Sequence, residues 1–96
     1  MELAIGIILG CCALAAGVCM GVGSIGPALG EGGAVAKACE AIGRQPKSTG
    51  AVTSTMIMGC AIAETTGIYA LVISILLIFV APNMFVNVLL KAVGLR

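Results

Sequence analysis

Two long uncharged stretches divide the chain. No charge falls between Leu3 and Gly30, and between Ser48 and Leu90 only Glu64 is charged. Each stretch exceeds the ~20 apolar residues that a membrane-spanning helix needs. Between them, Glu31 to Lys47 holds Glu31, Lys37, Glu40, Arg44 and Lys47. The polar centre is Gly43-Arg44-Gln45-Pro46-Lys47-Ser48, and Pro46 disfavours helix at Gln45. The pattern predicts an all-α transmembrane helical hairpin of two long antiparallel helices. Helix one is expected over about 3–43, a polar loop over 44–48 and helix two over about 49–90, as one two-helix membrane domain spanning 1–96. No period-2 alternation supports a barrel, the other backbone solution in lipid. Pro27 and Pro82 fall inside the two helices and are expected to kink them.

Composition sharpens the membrane reading. Of 96 residues, 60% are hydrophobic and 9% charged, where a soluble domain carries about 25% charged residues. A net charge of +1 argues against nucleic acid as a partner. There is no His, which removes the commonest metal ligand and general base. The five cysteines, Cys11, Cys12, Cys19, Cys39 and Cys60, have no CxxC spacing and read as small packing residues. Lys37, Arg44 and Lys47 on the loop side outnumber Lys91 and Arg96 on the other, which favours a cytoplasmic loop.

Two apparent motifs dissolve in this context. Gly21-Val22-Gly23-Ser24-Ile25-Gly26 spells a dinucleotide fingerprint, but it lies in an uncharged membrane run with no βαβ unit. Ala13-Leu14-Ala15 and Ile8-Leu9-Gly10-Cys11 look like processing sites, yet Met1-Glu2 supplies no basic n-region.

Glycine is concentrated in helix one, at positions 6, 10, 17, 21, 23, 26, 30, 32 and 33. One small-residue stripe runs Gly10, Ala13, Gly17, Gly21, Ser24, Ala28, Gly32, and another Ala15, Cys19, Gly23, Gly26, Gly30. Glycine costs about 1 kcal/mol per helical position relative to alanine. In membranes that cost is offset by close backbone approach. Two small faces imply two close neighbours, as in a tight homo-oligomeric ring of identical helices. Helix two is bulky all round from Ile68 to Val80, which suits lipid, and its narrower stripe Gly59, Ala63, Gly67 is expected to face helix one.

An ionisable residue inside a membrane costs about 2.5–3.5 kcal/mol on insertion scales and is a functional hypothesis by default. Glu64 is such a residue. In an antiparallel hairpin, facing residues have numbers that sum to twice the turn centre. Glu31 and Glu64 sum to 95, so their midpoint falls at the polar turn. The two carboxylates are therefore expected within about one helical turn, ~5.4 Å, of each other. Thr65, Thr66 and Tyr69 add oxygen ligands. Thr65 and Tyr69 point about 100° and 140° away from Glu64 around the helix. One chain does not easily aim them all at one point; two adjacent chains do. Hard oxygen donors suit a proton or a group-1 or group-2 cation.

With the glycine-rich first helix, Arg44-Gln45-Pro46 in the loop and Glu64 alone in helix two, the chain resembles the rotor-ring proteolipid, or c-subunit, of F-type ATP synthase over nearly its whole length. Ala63-Glu64-Thr65-Thr66-Gly67-Ile68-Tyr69 is similar to the sodium-translocating members. The resemblance implies a rotor ring that catalyses no bond chemistry. It couples Na⁺ (or H⁺) flow to ATP synthesis and uses no organic cofactor. Its implied partners are the stator a-subunit of ATP synthase, the central-stalk subunits gamma and epsilon, and membrane lipid, in the cell (inner) membrane. Carried onto this chain, Glu64 is the ion-binding carboxylate, Ile62 gives a backbone carbonyl, and Thr65 a hydroxyl. Tyr69 holds Glu64, Thr66 holds a coordinating water, and Arg44, Gln45 and Pro46 form the stalk-facing loop.

Sodium-type members usually carry Gln where this chain has Glu31. Repulsion and desolvation are expected to keep Glu31 protonated while Glu64 binds Na⁺, so that Glu31 mimics Gln. The segment Asn83 to Arg96 is longer than the family needs and receives no role. An ion-coupled multidrug-type transporter also uses a lone membrane Glu, but needs about four spans and aromatic walls. A holin-like pore needs no matched carboxylates, and a V-type proteolipid has two hairpins.

Overall fold

The computed structural model describes residues 1–95. Its order is α1 (Glu2–Gly23), α2 (Ile25–Arg44), a 3₁₀ turn (Pro46–Ser48), α3 (Thr49–Phe79) and α4 (Ala81–Ala92), with no strand among the described residues. The expected hairpin is thus present as two helical arms. Glu2–Arg44 and Pro46–Phe79 are each long and apolar enough to cross a membrane.

Each arm is interrupted once. The breaks fall at Ser24 and Val80, three and two residues before the prolines rather than at them. The cause is the proline ring, which has no N–H for the carbonyl four residues earlier and clashes with it, so the preceding turn opens. Helix resumes at once: Ala28 N–H donates to Ser24 O at 3.1 Å, and Met84 N–H to Val80 O at 3.3 Å. The second arm ends in a Schellman cap. Gly94 takes φ 78°, Gly94 N–H donates to Lys91 O and Leu95 N–H to Leu90 O. Only a residue at ease in the left-handed region closes a helix this way.

The chain divides into two compact units, Val22–Tyr69 and Met1–Gly21 with 70–95. In the first, α2 turns Pro27, Glu31, Ala34, Ala38 and Ala41 inward, and α3 turns Val52, Met56, Cys60, Ala63 and Gly67 inward. These three- and four-residue steps are the seam of an antiparallel helix pair. Gln45 leaves the helix at φ −137°, ψ 81°. The Ser48 hydroxyl donates to Gln45 O at 2.7 Å and the Thr49 hydroxyl to Pro46 O at 2.6 Å. These bonds satisfy carbonyls that the turn frees from the helical ladder.

The second unit has a polar lock. Ser74 is 5% exposed; its hydroxyl reaches Ala16 O at 3.1 Å across the helix pair and Ala70 O at 2.8 Å in its own helix. The Cys19 thiol donates to Ala70 O at 3.5 Å. Cys12, Ala16 and Ala70 bury around them. Small side chains let the backbones approach closely enough for these bonds.

Candidate ion-binding site

Pro27 and Gly67, both buried, bring α2 and α3 together one turn from the two carboxylates. A Cβ at Gly67 would lie 3.6 Å from Pro27 Cγ and 3.4 Å from Glu64 Oε1. Glu64 therefore folds over Gly67 toward α2. There its carboxyl neighbours that of Glu31. The equal depth worked out from the turn centre thus corresponds to neighbouring carboxyls. Glu31 is half-buried and Glu64 exposed at the edge of the seam.

The other candidate ligands do not converge on this pair within one chain. Ile62 and Tyr69 are 70% and 62% exposed. Thr65, half-buried, donates its hydroxyl to Ala61 O at 3.4 Å, and Thr66 donates to Ala63 O at 3.0 Å. A hydroxyl that donates to its own helix keeps lone pairs for a cation, so these bonds orient the oxygens without consuming them.

At the loop, Arg44 closes α2 and its guanidinium turns back to Glu40 Oε1 at 2.6 Å, while Lys37 approaches Glu40 Oε2 at 3.5 Å. Exposed pairs of this kind contribute about 0.3–0.5 kcal/mol each. Their effect is to hold Arg44 along the helix, with Gln45 and Pro46 exposed at the tip.

The small-residue stripes sort into two groups. Gly10, Ala13, Gly17, Gly21, Ala28 and Gly32 are exposed, with Ser24 half-buried; Ala15, Gly26 and Gly30 are also exposed. Cys19 and Gly23 turn partly inward instead. Of the helix-two stripe, Gly67 meets α2 and Ala63 is half-buried, but Gly59 is exposed and a Cβ there meets nothing within 4 Å. The expectation that Gly59 faces helix one is therefore corrected. The seam has shifted by one residue to Cys60, which restores the three-residue step to Ala63. Spacing does not single out Pro27 or Ser74 as packing centres. A lone proline or serine in an apolar run carries no periodic signal.

The family model for the ATP synthase C-subunit matches residues 14–77. The ATP synthase c-subunit numbered 2 in Cereibacter sphaeroides is 54% identical over 69 residues, covering 72% of this chain and 83% of its own. The ATP synthase c-subunit of Petrotoga mobilis is 48% identical over 69 residues, covering 72% of each chain. That of Alkaliphilus oremlandii is 47% identical over 76 residues, covering 79% of this chain and 85% of its own. Taken with the helical hairpin and its membrane carboxylates, these matches show that the chain belongs to the ATP synthase C-subunit family.

Proposed function

We propose that this non-catalytic rotor-ring subunit carries Na⁺ on Glu64 as the ring turns, with Glu31 as its protonated partner. The observation that carries the reading is the contact between Glu31 and Glu64 in an otherwise apolar hairpin. Glu64 supplies the charge, and Glu31 supplies a carbonyl oxygen and a proton to donate. Ile62 O and the Thr65 hydroxyl complete the ligand set, Thr66 holds a water, and Tyr69 steadies Glu64. Thr65 and Tyr69 come from the adjacent copy, because one helix spreads them over too wide an arc. H⁺ on Glu64 is the second reading, because the same carboxyl takes either ion.

The proposed setting is a single two-helix membrane domain over residues 1–96 in the cell (inner) membrane, with the loop cytoplasmic. The stator a-subunit delivers and removes the ion, and gamma and epsilon meet Arg44, Gln45 and Pro46. Ion flow is thereby coupled to ATP synthesis, with no organic cofactor. Family membership sets aside the multidrug-type transporter.

The test is carbodiimide labelling of the purified ring. Carbodiimide attacks a protonated carboxyl, so labelling reports the fraction of Glu64 without Na⁺. Protection by Na⁺ is expected. Labelling indifferent to Na⁺ at neutral and alkaline pH would make the transported ion H⁺.

A further inference from the structure

We propose that Gly67 is a positioning residue for Glu64: its missing side chain, opposite Pro27, is the slot through which the carboxyl reaches Glu31. The inference rests on the reading of Glu64 as the ion carrier and assigns a role to a residue outside the ligand set.

Most of helix one's glycines, Gly10, Gly17, Gly21, Gly26, Gly30 and Gly32 among them, have open space where a Cβ would stand; Gly67 does not. Its Cβ position is closed on one side by Pro27 Cγ and Cβ, at 3.6 and 3.9 Å, and on the other by Glu64 Oε1 at 3.4 Å. A methyl group fits the slot in ordinary contact, and a longer side chain would have to pass between Pro27 and the Glu64 carboxyl. Pro27 is buried and its ring is rigid, so it does not yield. Glu64 is exposed and has rotatable bonds, so it is the wall that moves. A side chain extending past Cβ at position 67 therefore turns the Glu64 carboxyl away from α2 and from Glu31.

This mechanism predicts a graded series that helix propensity does not. Alanine would otherwise be the better helix former, and in the slot it should leave Glu64 where it is. Valine adds two atoms past Cβ and should expel it. Losing a hydrogen bond to a charged group corresponds to roughly tenfold or more in an equilibrium. The carboxyl's separation from Glu31 has its own signature, because replacing Glu31 is felt at Glu64 only while the two side chains are neighbours.

The experiment is carbodiimide labelling of Glu64 against pH and Na⁺ in purified wild-type, Gly67→Ala and Gly67→Val rings, each with and without Glu31→Gln. In wild type and Gly67→Ala, Glu31→Gln should change the pH profile. In Gly67→Val it should not, and the Na⁺ needed for half-protection should rise about tenfold or more. If the valine ring does not assemble, Gly67→Ser, with one atom past Cβ, carries the same comparison and the same expected direction. A valine or serine ring with the wild-type Na⁺ requirement and a pH profile still sensitive to Glu31→Gln would overturn the proposal. Wild-type labelling indifferent to Na⁺ would instead overturn the sodium reading; the pH arm would still decide the role of Gly67.

Discussion

Gly21→Leu should abolish the ring and spare the hairpin. A Cβ at Gly21 meets nothing within 4 Å in the chain, and the residue is exposed. A leucine there creates no clash in the folded subunit, and replacing glycine in a helix is worth about 1 kcal/mol in its favour. In the ring the same position lies on the stripe where neighbouring backbones should touch. Overpacking costs about 1–3 kcal/mol at a tight contact. The insult repeats at every interface of a closed ring, so the total grows with the number of copies. No hydrophobic term offsets it, because lipid solvates leucine as well as protein does. The sign of the effect thus differs between subunit and assembly. Circular dichroism in detergent should show wild-type helicity, while native mass measurement should find monomer in place of the ring. A mutant ring of normal mass would show that this stripe is not an interface.

Glu64→Gln should abolish ion-driven ATP synthesis and leave ring assembly intact, since an amide keeps the shape and the bond to Glu31 but cannot carry a cation; continued synthesis would sink the assignment. The Na⁺ concentration that half-protects Glu64 from carbodiimide should rise as pH falls, because proton and metal compete for the same oxygens; a flat dependence would refute competition. Thr65→Ala should raise that concentration at any pH by removing one ligand, and unchanged protection would remove Thr65 from the site. Ser74→Ala should lower stability by about 0.6–1.7 kcal/mol, the range for an interhelical hydrogen bond in a membrane. Unfolding by SDS titration reads this directly, and no shift would show that the 3.1 Å contact to Ala16 O contributes nothing.

The hairpin was legible because charge and apolar length act through lipid solvation alone. The uncharged runs and Pro46 need no knowledge of tertiary packing to be read. The shared depth of Glu31 and Glu64 was legible too, since antiparallel geometry turns two residue numbers into one level in the hairpin. What spacing could not reveal was which residue of a small pair enters the seam. Gly59 and Cys60 are both small, and the choice between them is set by how Ala63 and Gly67 meet α2. The proline breaks were legible in kind but displaced, because a proline damages the turn before it. The lock at Ser74 was not legible. A serine in an apolar run is compatible with bonding to its own helix alone, and only the approach of Ala16 supplies the second acceptor.

The proposed pairing of a protonated Glu31 with Glu64 has an electrical consequence. In that proposal the pair keeps one proton and has room for one more cation. With H⁺ or with Na⁺ in that place the loaded site is neutral, and without it the site bears a single negative charge. Each step of rotation therefore moves one elementary charge, whichever ion is aboard. A transmembrane voltage does about 2.3 kcal/mol of work per charge per 100 mV, and that work is identical for the two ions. The voltage is blind to ion identity in this site. Only the two concentration gradients, weighted by the affinity of the oxygens around Glu64, distinguish a sodium motor from a proton motor.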